Sequence, residues 1–208
     1  MQYKISLPTT ITPAFLLLLS MTALDAYAEP PTPTIPVLSS DQVNRLNAGD
    51  ILVEVINGEI PIGDVLGVIQ AAPEVVLESV VDFNHYTEFM PYMTQSEIVS
   101  QEGNTYHCSG VTDTPWPMDD RIWSIIASAG PTEVDGVPVL VSTWDYVPDS
   151  GNIEDTEGYW LLIPWGEMGQ ATLVRYYLVA DLGTWIPDVI LNWATENMLP
   201  GIIEGLRT

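Results

Sequence analysis

Six segments of strand length follow one another between residues 96 and 179: 96–101, 105–112, 121–129, 138–147, 158–165 and 171–179. Each is rich in β-branched and aromatic residues, and Gly, Asp, Asn or Pro separates it from the next. Six consecutive antiparallel strands must wrap into one sheet, and such a sheet has a face to cover. The segment 187–206 supplies the cover, with Ile190, Trp193, Ala194, Met198, Ile202 and Leu206 at helical spacing on one broad face. Pro200-Gly201 predicts a kink in that helix. One helix laid across a curved sheet leaves space beneath it unless bulky side chains fill the gap, so a pocket is expected.

Upstream, Asp41 can cap a short helix over 42–47 that stops at Gly49, and 51–55 alternates as a strand does. Gly58 turns the chain into a second strand, 65–70. Ala72-Pro73-Glu74 then marks a helix start, with Val76, Leu77, Val80 and Val81 on its apolar face. Residues 84–93 predict a second short helix broken at Pro91. Strands segregated from a long closing helix define an α+β class.

Residues 1–28 have a different texture: Lys4, an apolar run over 14–24, then Ala26-Tyr27-Ala28. This is the form of a secretory signal peptide cleaved after Ala28. A bilayer span needs about 20 apolar residues, and Pro13 and Asp25 bracket the run too tightly. No cysteine follows it to carry a lipid anchor. Residues 29–40, with Pro30, Pro31, Pro33 and Pro36, predict an extended, mobile linker into one domain over 41–208. The expected protein is exported, periplasmic or secreted, and monomeric.

Lys and Arg number 5 against 28 Asp and Glu, a net charge of -23. That field excludes nucleic acid as a partner and argues for a solvated acidic surface. Loss of the leader removes Lys4 and Asp25, so the charge is unchanged and no lysine remains. Cys108 is the single cysteine, and His85 and His107 are the only histidines, too few for a disulfide, a zinc site or an iron-sulfur centre. Cys108 reads as a small strand hydrophobe. The loop 149–157, DSGNIEDTE, lacks the spacing of a calcium loop and reads as a solvated hairpin. No metal or cofactor is expected, and no nucleophile elbow, zinc-protease motif or glycine-rich phosphate loop occurs.

The string APEVVLESVVDFNHYTEFMPYMTQS at 72–96 resembles the helical insert of the START-like, polyketide cyclase and lipid transport superfamily. Pro115-Trp116-Pro117-Met118-Asp119-Asp120-Arg121 resembles the turn before that superfamily's arginine-led strand. Tyr159 to Pro164 resembles its late strand, and Ala180 to Pro187 the approach to its closing helix. The four segments occur in the superfamily's order and cover about residues 41–207. The resemblance implies a helix-grip fold: a curved antiparallel sheet around a long C-terminal helix, with an internal tunnel for a lipid or other hydrophobic small molecule. Transient contact with membranes for ligand exchange would go with that role. Where the superfamily often has an acid after the arginine, this chain has Ile122.

The candidate ligand-binding residues are Tyr86, Phe89 and Met90 on the short second helix, Arg121 and Trp123 at the start of a strand, Trp144 and Trp160 on later strands, and Trp193 on the closing helix. A buried guanidinium needs a carboxylate or a ligand acceptor, and Asp113, Asp119 and Asp120 are near in sequence. No catalytic residue is assigned. The competing reading is a cyclase or dehydratase acting on an apolar polyketide-like substrate, with His107 as base and Arg121 as clamp. A third is an interaction module whose pocket is filled by side chains.

Overall fold

The computed structural model describes residues 31–208 apart from 57 and 59. The leader and its cleavage site lie outside the described residues. Eight strands form one antiparallel sheet: β1 (Leu52–Ile56), β2 (Ile62–Ile69), β3 (Met93–Glu102), β4 (Thr105–Thr112), β5 (Arg121–Val134), β6 (Val137–Tyr146), β7 (Asp155–Trp165) and β8 (Ala171–Asp181). Their order across the sheet is β1-β2-β8-β7-β6-β5-β4-β3, so the first hairpin pairs with the last strand. Before β1 comes α1 (Ser40–Asn47); between β2 and β3 lie α2 (Pro73–Val80), a 3-10 turn (Phe83–His85) and the single turn α3 (Tyr86–Phe89). The chain closes with α4 (Asp188–Trp193), a π-helical turn (Ala194–Met198) and α5 (Leu199–Gly205). Among the described residues, no helix is long and apolar enough to cross a membrane.

Several strands run longer than the sequence suggested, for a common reason. β5 continues through Pro131 because β4 pairs with it only as far as Ser128, so the missing N–H of Pro131 faces an unpaired edge. Pro164 in β7 likewise lies beyond the β6 pairing, which ends at Leu162. Asp155 to Glu157, expected in a solvated hairpin, are instead the first residues of β7, paired with Val179, Ala180 and Asp181.

The inner face of the sheet carries one core, in which Val76 and Val80 of α2 and Leu199, Ile202 and Ile203 of α5 meet Val65, Cys108, Trp144, Trp160 and Val174. Close approach of α5 is possible because β2 has Gly63 and Gly67 beneath it. A Cβ on Gly67 would sit 2.5 Å from Cγ2 of Ile203. The outer face carries a second core of Val68, Tyr159, Leu161, Ile163 and Leu173, covered by Leu46 of α1 and by Ile35 and Leu38. From Thr34 on, the proline-rich segment lies docked on the outer face of the sheet. Thr34 accepts two hydrogen bonds from Arg175, at 2.8 and 2.9 Å, and the Ile35 N–H donates to Asp135 at 3.2 Å.

The closing helix departs from α-helical geometry in the turn before Pro200-Gly201, where a kink was expected. Pro200 removes an N–H and crowds the preceding turn, and the backbone answers with the π turn over Ala194–Met198. Thr195 adds a bond from its hydroxyl to the Leu191 carbonyl at 2.7 Å.

Candidate functional site

A cavity of about 280 Å³ lies between the closing helix and the inner face of the sheet. Strand alternation selects its walls: Arg121, Trp123, Ile125 and Ala127 of β5 point inward, as do Trp144 of β6, Trp160 of β7 and Tyr176 and Leu178 of β8. The helix contributes Ile190, Trp193, Met198, Leu199 and Ile202. Tyr86 and Met90 close one side.

Two glycines let the indoles lie against the sheet. A Cβ on Gly110 would collide with the Trp123 ring, and one on Gly158 with the Trp144 ring. Trp144 stacks on Tyr176 at 5.5 Å between centroids, and Tyr176 also packs on Trp160 at 4.4 Å. Three of the polar tips in the wall are turned to protein partners, leaving apolar faces toward the space. Trp123 Nε1 donates to Thr112 Oγ1 at 3.1 Å, Trp144 Nε1 donates to Thr156 Oγ1 at 3.5 Å, and the Tyr86 hydroxyl donates to the Val80 carbonyl. Burial pushes the Tyr86 hydroxyl well above the usual tyrosine range, with neighbouring Tyr176, Cys108 and Asp82 adding to it, and burial alone raises Tyr176. Both stay neutral at any physiological pH.

Arg121 departs from this pattern. Its Nε is buried without a hydrogen-bond partner. Nη1 donates to the Asn152 carbonyl at 3.5 Å, a long bond, and Nη2 to the Met118 sulfur at 3.6 Å, a weak acceptor. The carboxylates expected to pair with it do not: Asp120 instead accepts from the Thr114 N–H at 3.5 Å, and no ion pair to Arg121 forms among the described residues. Arg121 also borders a polar surface groove lined by Asp149, Asn152, Glu154 and Thr184, which shares Ile153 and Leu182 with the cavity.

Of the residues singled out in the sequence, Tyr86, Met90, Arg121, Trp123, Trp144, Trp160 and Trp193 come together around this space. Phe89 does not; its ring packs edge-on against Tyr86 at 5.5 Å, outside the lining. His107 is corrected as well. Its neighbours Tyr106 and Cys108 both belong to the inner core, so alternation turns His107 to the outer face, away from any guest in the cavity. Cys108 is fully buried, and burial pushes its thiol up to about 12. Among the described residues the lining holds no His, Cys, Asp or Glu, and no cluster of such groups could hold a metal ion. Tyr176 was missed by sequence reasoning, although its period-2 spacing with Val174 and Leu178 on β8 carried the signal.

This architecture is the START-like helix-grip fold: a curved antiparallel sheet gripping a C-terminal helix over an internal cavity. The solved structures that share it are START and related superfamily members. A STAR-related lipid transfer protein from Xanthomonas axonopodis aligns with a TM-score of 0.64 and 22% identity, over 76% of this chain and 91% of that one. Human StAR-related lipid transfer protein 5 gives 0.59 and 14%, over 80% and 88%. An aromatase/cyclase from a Streptomyces species gives 0.52 and 13%, over 71% and 94%. No protein-family model matches the sequence, and no curated protein does.

Proposed function

We propose that this protein binds a lipid or other hydrophobic small molecule non-covalently in the cavity beneath the closing helix, and carries or sequesters it outside the cytoplasm. The observation that carries the reading is the composition of the wall: aromatic and aliphatic faces, with the Trp123 and Trp144 N–H groups and the Tyr86 hydroxyl held by protein partners, and no side chain suited to act as a general base among the described lining residues. Such a wall draws affinity from apolar burial, roughly 25 cal/mol per Å² removed from water. The lipid-transfer proteins that share the fold support the same ligand class. Export is supported by the signal-like pattern of residues 1–28.

The test is a fluorescent fatty-acid or sterol probe titrated into the purified protein. Binding to the wild type, retained in His107→Ala and lost in Trp144→Glu with the circular dichroism unchanged, is the expected result. A probe that binds neither protein, or binds Trp144→Glu as well as the wild type, rejects the cavity as the site. A ligand recovered chemically altered would favour a cyclase-type enzyme. For export, N-terminal sequencing of the native protein should begin near Glu29, and an intact Met1 on cytoplasmic protein would contradict it.

A further inference from the structure

We propose that the guest carries a carboxylate, and that Arg121 receives it at the end of the cavity beside the polar groove; this rests on the hydrophobic-ligand reading and narrows it to amphipathic monoacids. The starting point is a contrast in how the chain treats its cations. Each of the other described arginines has an oxygen partner within 3.0 Å: Arg45 with Asp50, Arg175 with Asp64, and Arg207 with the Gly49 carbonyl. Arg121 has one long contact to a carbonyl, one contact to a thioether, which is a weak acceptor, and a buried Nε with none. A guanidinium offers five N–H donors in a fixed fork. Leaving it half-buried and short of acceptors is costly unless something else supplies them.

That shortage is not for want of acids. The chain has 28 carboxylate side chains, and Asp119 and Asp120 adjoin Arg121 in sequence, yet Asp120 turns to the Thr114 N–H instead. The local sequence thus keeps the guanidinium unneutralised at the one place where the apolar cavity meets a polar groove. A molecule with an apolar tail and a polar head fits that boundary, tail among the indoles and head on the fork.

The charge count favours a singly charged head group, and the fork geometry a carboxylate. Arg121 is the sole cationic residue in the described lining of the cavity, and Asp149 and Glu154 line the adjoining groove. One guanidinium matches one carboxylate in a bidentate pair. A phosphate dianion would bring a second negative charge toward those acids with no second cation to meet it. The overall charge of -23 does not forbid an anion. At physiological salt the field of distant outer acids is screened within about 8 Å, whereas a contact pair at a half-buried site is screened less.

The experiment compares decanoate, ionised at pH 7, with 1-decanol by isothermal titration calorimetry on the full mature chain. The expected result is at least about tenfold tighter binding of decanoate, a difference of about 1.4 kcal/mol. Arg121→Gln should abolish that preference, the two affinities then lying within about twofold of each other, and Arg121→Lys should retain part of it. An unchanged circular dichroism spectrum of each variant is the control for folding. Equal or tighter binding of decanol to the wild type, or an acid preference that survives Arg121→Gln, overturns the carboxylate assignment alone. Failure of both compounds to bind the folded wild type overturns it together with the hydrophobic-ligand reading beneath it.

Discussion

The two arginines of the central sheet sit on opposite faces and in opposite electrostatic conditions. Arg175, on the outer face, is closed on all sides: Nε and Nη2 donate to the two oxygens of Asp64 at 3.0 and 2.6 Å, Nη1 donates to Thr34, and the guanidinium lies 5.8 and 5.5 Å from the Tyr159 and Tyr177 ring centres. Arg121, on the inner face, faces a cavity and lacks a charged partner. The same residue type thus does two jobs. On the outer face it clamps the N-terminal segment to the sheet; on the inner face it has no charged partner among the described residues, the condition on which the carboxylate proposal rests.

The largest expected effect follows from breaking the outer clamp. Arg175→Leu leaves Asp64 without its partner in a site where both side chains are only 13% and 16% exposed, and should cost about 3–5 kcal/mol in denaturant unfolding. The matching change on the inner face, Arg121→Leu, removes an unneutralised cation and should shift stability by about 1 kcal/mol or less, in either direction. Equal losses at the two positions would show that Arg121 has a structural role like that of Arg175.

Next in size is Gly67→Ala, which tests whether the closing helix is packed as tightly over β2 as it is loose over the cavity. The added methyl would meet Ile203 and should destabilise by about 1–3 kcal/mol. An unchanged midpoint would mean that α5 can slide away freely.

A smaller, pH-dependent effect belongs to the outer side of β7. Burial, then repulsion from Asp155 and Asp145, raises the Glu157 carboxyl above the ordinary range, and burial raises Asp155 too. A carboxyl that is harder to ionise in the fold than in the unfolded chain costs stability above its folded pKa, and the cost fades as pH falls through that value. Glu157→Gln should therefore raise the melting temperature modestly at pH 7, with the gain closing by about pH 4. A gain that grows on acidification would contradict the assignment.

Much of this was legible in the sequence because strand and helix periods are written locally. The six late strands, the closing helix and the placing of Arg121, Trp123, Ile125 and Ala127 on one face follow from spacing; that this face is the inner one does not, and is shown by the structure. What was not legible depended on distant pairing. β7 reads as a continuous apolar run, TyrTrpLeuLeuIle, which does not say that its second face is covered by Leu46, Ile35 and Leu38 of the N-terminal segment. The docking of Thr34 on Arg175 spans 141 positions of sequence. Tyr176 sat unnoticed for the same reason, since its value comes from facing Trp144 and Trp160 across three strands. The π turn could not be placed because Pro200 fixes that the helix must adjust, not where it does so.

The most direct test of the central claim is native mass spectrometry of protein purified from its own source, followed by analysis of an organic extract of the same sample. The account predicts one small apolar molecule per chain, recovered unmodified and absent from Trp144→Glu prepared in the same way. Wild-type protein that carries no such molecule and takes up none when offered lipid extract would contradict it.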